Sequence, residues 1–434
     1  MTTLYLCLIF GIYPLVIQDG LFALQKTKLT FFAFVSLIYI IYSFFHIKEW
    51  RFRKLDGYVL AFFGSLCLST FFSKSFINSL VGHYGRYYGL LLMGIYLLLY
   101  FCLSRSTYQK DVVEKSMVFG VCISASLGFL NVLGIDPLQI YPRMLPEQRQ
   151  FFISTLGNLD FYGAYQALVL GYFLSLKWSR LTIIGVIFSS IGLASSNVDA
   201  ALIALVVYSL FVLFQAVKKD FMLLLSLMIA TLFLSLQILL NKGTLFTYSY
   251  LYQLLGNGFI CGGLIFGLWV LYLLPQKMIK ISIIFVFISV LALILYFTLI
   301  YDDGSLPQYL EIFRLNESWG SYRGALYQLA IDHYQQFNWS EKLFGYGLET
   351  VSILTANQMI MGGVYVDAYH SVYLQLLVTS GVLGLTTYIG MLYAFMKEYR
   401  CLIWIIFIVL DIVSIWQVAS TPFAFIFLFM LKKT

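Results

Sequence analysis

The sequence predicts an all-α, polytopic integral membrane protein with about 12–14 transmembrane helices and one large outer loop. Three observations carry this expectation. Of 434 residues, 61% are hydrophobic and only 11% are charged, against about 25% charged in a soluble domain. Apolar runs of roughly 15 to 22 residues, near the length a helix needs to cross a bilayer, recur from end to end. Only one polar stretch is long, residues 301–366.

The apolar segments run over 3–18, 28–47, 56–72, 87–105, 115–134, 158–176, 181–198, 199–217, 221–240, 252–274, 279–300, 367–396, 401–416 and 418–431. The first, the seventh and the last two are short, so twelve or thirteen spans are also compatible with the pattern. The N-terminus lacks a basic start and a small-residue cleavage site, and it is expected to stay as the first span.

Lys and Arg orient the spans. With a cytoplasmic N-terminus, the loops on that side hold Lys48, Arg51, Arg53, Lys54, Arg105, Lys110, Lys115, Lys177, Arg180, Lys218, Lys219, Lys277, Lys280, Lys397, Arg400, Lys432 and Lys433, which is most of the 27 basic residues. The acids Asp302, Asp303, Glu311, Glu317, Asp332, Glu341 and Glu349 gather in the long loop. Both termini are therefore expected in the cytoplasm and the loop on the periplasmic or exterior face. The chain divides into N-terminal transmembrane helices (1–300), the outer loop (301–366) and C-terminal transmembrane helices (367–434).

Loops of this length are usually functional. Within it Tyr322, Leu326, Leu329, Ile331 and Tyr334 predict a partly amphipathic helix. A second outer loop, 135–157, carries Pro137, Pro142, Pro146, Arg143 and Arg149.

Composition excludes several classes. The net charge of +7 is spread among short loops, so it is no nucleic-acid footprint. The cysteines Cys7, Cys67, Cys102, Cys122, Cys261 and Cys401 lie in or beside apolar segments, with neither zinc spacing nor a disulfide framework. No Walker-type loop supports nucleotide use. His46, His83, His333 and His370 lack paired ligand spacing, so no metal or other cofactor is expected. The acidic pair Asp302-Asp303 offers carboxylate oxygens to a divalent cation, although such pairs are usually solvated surface.

The residues suited to chemistry lie at the outer boundary. His370 stands where the long loop re-enters apolar sequence, in Asp367-Ala368-Tyr369-His370-Ser371. A neutral imidazole can take a proton from a hydroxyl, and Asp367, three residues earlier, is placed to orient it. The structural alternative is an interfacial histidine bonded to loop backbone. Arg86, in Gly82-His83-Tyr84-Gly85-Arg86-Tyr87-Tyr88-Gly89, and Arg323 and Arg314, in the long loop, also face outward. Guanidinium forks suit the phosphates of a lipid-linked diphosphate; the alternative is snorkelling to phospholipid headgroups.

Asn158 and Asp160 open the sixth span as Gly157-Asn158-Leu159-Asp160-Phe161. They suit a helix cap or a contact to sugar or acceptor. Gly381 and Gly384 are expected to pack helices closely, and Gly345-Tyr346-Gly347 to form a turn. Asp411, near the middle of a late span, has no evident partner.

These residues resemble the O-antigen ligase and polymerase superfamily of bacterial envelope enzymes. The family pattern is His, then Asn, Ser or Gln, then nine residues, Gly, two residues, and Gly, Thr or Tyr. His370-Ser371, Gly381 and Gly384 match each defined position. Arg323 followed by Tyr327 (often Trp in the family), the Gly345-Tyr346-Gly347 turn, the Gly157-Asn158-Leu159-Asp160-Phe161 start and Arg86-Tyr87-Tyr88-Gly89 are similar to family features.

The resemblance implies a glycosyltransferase that needs neither metal nor nucleotide. It would move a glycan from an undecaprenyl-diphosphate carrier to a saccharide or lipid-saccharide acceptor, at the outer face of the bacterial cytoplasmic membrane and in cell-surface polysaccharide biosynthesis. His370 would be the base and Arg86 and Arg323 would neutralise the leaving diphosphate, with inversion at the anomeric carbon. Membrane lipid is a constant partner, and a chain-length-regulating partner is compatible with it. A second class, a transporter or flippase of an anionic or lipid-linked solute, also uses outward arginines, but inverted repeats and matched broken spans are missing from the sequence. A membrane scaffold would not need His370 in this place.

Overall fold

Apolar segments near 20 residues form helices because a bilayer interior leaves backbone groups no other partner. The structure, a computed structural model, describes residues 1–413 apart from 19, 22, 48–50, 143, 243–244, 302–305, 357–358, 361–363 and 400–401. The segment expected at 418–431, Arg143, Cys401 and the Asp302-Asp303 pair lie outside the described residues.

In chain order the helices are α1 (Thr2–Cys7), α2 (Leu24–His46), α3 (Lys54–Phe71), α4 (Phe76–Val81), α5 (Leu90–Ser104), α6 (Lys110–Val132), α7 (Pro146–Arg149), α8 (Leu159–Leu174), α9 (Arg180–Ser196), α10 (Asp199–Gln215), α11 (Lys219–Asn241), α12 (Tyr250–Leu255), α13 (Gly258–Leu273), α14 (Gln276–Leu295), α15 (Gln308–Glu311), α16 (Trp319–Gln336), α17 (Trp339–Phe344), α18 (Val351–Leu354), α19 (Val372–Tyr399) and α20 (Trp404–Val413). Two short antiparallel hairpins pair Phe152–Ile153 with Gly157–Asn158 and Met359–Ile360 with Val364–Tyr365. Among the described residues, five helices are long and apolar enough to cross a membrane and several shorter ones are strongly apolar. The protein is an all-α polytopic membrane protein.

Helix α8 is the axis of the bundle. Every residue from Phe161 to Leu174 is buried, between α9, α10 and α20. Helices α13 and α14 lie at the edge, and α14 buries little beyond Ile279 and Ile283. The expected segment 252–274 divides at Gly256-Asn257, where the Asn257 side chain caps α13 by accepting from the Phe259 N–H at 2.9 Å. At the end of the bundle far from the long loop, Asp56 is fully buried and accepts from Arg105 at 2.7 Å and from the Tyr100 hydroxyl at 2.5 Å.

Two departures from the sequence expectation shape the loop end. Helix α19 begins at Val372, not near 367, because His370 takes a left-handed backbone (φ 51°). The same helix is broken at Gly381 (φ 67°, ψ −174°). The break frees the Val378 and Thr379 carbonyls, which accept from the Tyr346 and Gly347 N–H groups, each at 2.9 Å. This satisfies backbone groups that would otherwise be orphaned.

A Cβ on Gly381 would overlap the Leu343 carbonyl, and one on Gly345 would overlap the Thr379 backbone. Gly381 is therefore a docking point for the Gly345-Tyr346-Gly347 turn, not a helix-packing residue. The Lys74–Glu341 ion pair (2.8 Å) and Phe72 stacked on Phe344 (4.6 Å) hold the same turn against the chain after α3. Helix α3 is itself tied to α19, with the Ser69 hydroxyl donating to the Thr379 carbonyl at 2.7 Å.

A Gly381→Ala variant is expected to lose about 1–3 kcal/mol of stability from backbone strain alone. Thermal melting in detergent and limited proteolysis within 301–366 measure this. An alanine variant that melts with the parent and stays equally resistant would contradict the docking role.

Candidate active site

Four helices begin around one cavity of about 610 Å³. The first turns of α2 and α8 line it, and so do the chain leading into α5 and the turn leading into α19. Its polar lining is Gln25, Lys26, Arg86, Asn158, Asp160, Asp367 and His370, and its aromatic lining includes Tyr84, Tyr87, Phe152 and Phe161. Helix N-termini carry partial positive charge and unpaired N–H groups, so the cavity favours an anion.

Arg86 sits in a tight turn in which the Arg86 and Tyr87 N–H groups both donate to the His83 carbonyl, at 3.1 and 2.9 Å. The guanidinium grips Asp367 with two bonds, Nε to Oδ2 at 3.1 Å and Nη2 to Oδ1 at 2.7 Å. The sequence predicts Asp367 as the group that orients His370. Instead, Arg86, remote in sequence, takes both of its oxygens, because a charge-assisted fork outcompetes a neutral imidazole.

His370 is held by its backbone and its neighbours. The Tyr327 hydroxyl reaches the His370 carbonyl at 3.4 Å and the Ile412 carbonyl at 2.7 Å. The adjacent Tyr369 hydroxyl meets His333 Nδ1 at 2.7 Å, and Ser371 donates to the Asp411 carbonyl at 3.5 Å. The ring nitrogens of His370 have no hydrogen-bond partner among the described residues. Burial, with the guanidiniums of Arg323 and Arg86, holds the imidazole below its ordinary titration range, against the opposing pull of Asp160 and Asp367. This direction favours the neutral form of the ring.

Arg323 begins the regular part of α16, after Gly320, Ser321 and Tyr322 break the first turn with left-handed backbones. Its Nε donates to the Val413 carbonyl at 2.7 Å and Nη1 to the Gly320 carbonyl at 2.6 Å. Its Nη2 faces Asp160 Oδ2 at 3.4 Å. Arg323 thus stands directly behind a carboxylate of the cavity wall.

Asn158 is a helix cap, since its Oδ1 accepts the Asp160 N–H at 2.8 Å. Arg314 is not brought to the cavity: it follows α15, and its side chain makes no ion pair among the described residues. Asp411 does have a partner, the Tyr388 hydroxyl at 2.6 Å.

The sequence passed over three residues. Gln25 and Lys26 line the cavity from the start of α2, and only the charge rule, which puts Lys26 in an outer loop, pointed there. Glu349 lies just past the Gly345-Tyr346-Gly347 turn, with φ 53° and an Oε2 atom that is buried without a hydrogen bond. Burial holds its carboxyl above the ordinary range, while Arg86 pulls it down.

Residues 257–389 match the family model of the O-antigen ligases. The match includes Arg323, Asp367 and His370 and stops short of Arg86, Asn158 and Asp160, so this segment of the chain is similar to the O-antigen ligases. No curated protein matches the chain significantly.

A lowered imidazole pKa means a larger neutral fraction at pH 7 and protonation only at more acid pH. In the ligand-free protein, His370 is expected to titrate below the ordinary histidine range. Histidine-selective NMR, with the His370→Gln variant to assign the resonance, reads this directly. A midpoint above 7 would contradict the electrostatics described here.

Proposed function

From the O-antigen ligase match over residues 257–389 and the geometry around His370, we propose that the chain is a lipid-linked oligosaccharide glycosyltransferase of ligase or polymerase type. Its donor is a glycan on undecaprenyl diphosphate, its acceptor is a saccharide or lipid-saccharide hydroxyl, and its site faces the exterior of the cytoplasmic membrane. One observation carries this reading. An imidazole with unengaged ring nitrogens shares its cavity with the Arg86–Asp367 pair and with Asp160, which Arg323 backs from behind the wall.

The acceptor hydroxyl gives its proton to a ring nitrogen of His370 as its oxygen attacks the anomeric carbon. The new carbon–oxygen bond forms while the bond from that carbon to the phosphate oxygen breaks. The electron pair leaves on undecaprenyl diphosphate, and the imidazolium later loses its proton to water. Arg86 and Arg323 neutralise charge that grows on the leaving group, in a site whose helix termini already favour an anion.

The aromatic walls Tyr84, Tyr87, Phe152 and Phe161 suit sugar faces. Attack opposite the leaving diphosphate inverts the anomeric carbon. The diphosphate is a competent leaving group when held by guanidiniums, so neither metal nor nucleotide is required. The outward orientation rests on the charge distribution. The dense basic cluster of Arg51, Arg53, Lys54 and Arg105 lies at the end of the bundle away from His370, as cytoplasmic loops require.

The test is transfer by the purified chain in nanodiscs, supplied with a lipid-diphosphate oligosaccharide and an acceptor. Undecaprenyl diphosphate should be released, and activity should persist in chelator and without ATP. His370→Ala is expected to lose about 10²–10⁴ in kcat. Arg86→Lys, which keeps charge but loses the fork, should lose about 10²-fold or more. Full activity of His370→Ala together with solute flux would replace this reading with a transporter.

A further inference from the structure

Both arginine–aspartate pairs share an asymmetry. In each pair the cation is the less exposed partner, Arg86 being buried and Arg323 half-buried. The Arg86 side chain is 11% exposed against 58% for Asp367, and Arg323 is 16% exposed against 32% for Asp160. A guanidinium withdrawn from water needs an anion continuously. A carboxylate at the wall of an open cavity does not need its cation, because water solvates it well and exposed pairs add little. The aspartates are the dispensable members.

Position points the same way. Asp367 occupies the Nε and Nη2 edge of Arg86, the edge that binds two phosphate oxygens side by side. Arg323 is fixed through Nε and Nη1 by the carbonyls of Val413 and Gly320, which leaves Nη2 turned toward Asp160 at the long distance of 3.4 Å. Each aspartate thus stands where a phosphate oxygen would stand, and both line the same cavity as His370.

We infer that Asp367 and Asp160 are place-holder anions. The donor's diphosphate exchanges with them on Arg86 and Arg323, and this exchange arms His370 for the acceptor. The inference rests on the reading that a diphosphate-linked donor enters this cavity.

Before the exchange, the guanidiniums and burial outweigh the two carboxylates at the imidazole. After it, the diphosphate adds about two negative charges, and the displaced carboxylates remain tethered nearby. Asp367 lies three residues from His370 in the same turn, free to accept a hydrogen bond from the imidazolium. Proton uptake from the acceptor thereby becomes favourable only when the donor is seated. The asymmetry of burial makes the exchange inexpensive in one direction alone: the aspartates can leave, whereas the arginines cannot.

The test uses the full chain in nanodiscs, with undecaprenyl diphosphate and inorganic pyrophosphate as binding probes and glycan transfer as the kinetic readout. Asp367→Asn should bind undecaprenyl diphosphate about three- to tenfold more tightly than the parent, because a competing surface pair is gone. Its donor KM should fall while kcat drops about tenfold or more. Without ligand it should melt below the parent, and pyrophosphate should raise its melting temperature more than the parent's. A merely structural aspartate would lower affinity and turnover together.

If Asp367→Asn does not fold, Asp160→Asn reads the same exchange at the second pair. A parent that binds the probes, beside a folded variant that binds them no better, overturns the exchange and leaves the functional reading standing. A parent that binds neither probe removes both.

Discussion

A guanidinium taken out of water must always have an anion beside it, and the loop end of this protein is organised around that constraint. Arg86 is buried at the start of α5 and reaches Asp367, hundreds of residues away in sequence, with two bonds of 3.1 and 2.7 Å. That ion pair closes one wall of the cavity and fixes the turn that presents His370. Arg323 repeats the arrangement from the long loop with Asp160 at the start of α8. The imidazole between them has no polar side-chain partner among the described residues. Its ring nitrogens are therefore left to whatever enters the cavity.

The constraint is met because the long loop is built into the membrane helices. The Gly381 break opens α19 so that two of its carbonyls accept N–H groups from the loop. The carbonyls of Ile412 and Val413, the last described residues of α20, accept from the Tyr327 hydroxyl and the Arg323 Nε. The interrupted helix α19 thus binds loop backbone, as irregular structure in a membrane protein requires. A loop fastened this way can place a side chain on α16 beside residues on α8 and α19. Reaction geometry of the kind proposed here needs that rigidity, since small displacements of a base or a clamp are costly in rate.

Much of this was legible in the chain, for physical reasons. Hydropathy marks the spans because bilayer thickness imposes a length, and α2, α6, α11 and α19 lie close to their expected segments. His370, Arg86, Asp160 and Asn158 stood out because polar groups at span boundaries are scarce in so apolar a chain. What could not be read were pairings across the fold. Asp367 is near His370 in sequence, yet it belongs to Arg86, and no local pattern encodes an ion pair between loops so far apart. Glu349, Gln25 and Lys26 carried no signal beyond ordinary loop polarity. Gly381 has the composition of a packing glycine, and its break becomes visible only once the loop backbone is seen to occupy it. Arg314 shows the converse: an arginine of the expected type in the expected loop, which is not among the residues lining the cavity.

The most direct measurement is a cryo-EM structure of the chain in nanodiscs with undecaprenyl diphosphate bound. The account predicts diphosphate density in the cavity beside His370, bridging Arg86 and Arg323, with the Asp367 carboxylate moved off the guanidinium. Density for the headgroup at the Asp56 end of the bundle, or in the cavity with both arginine–aspartate pairs intact, would contradict it.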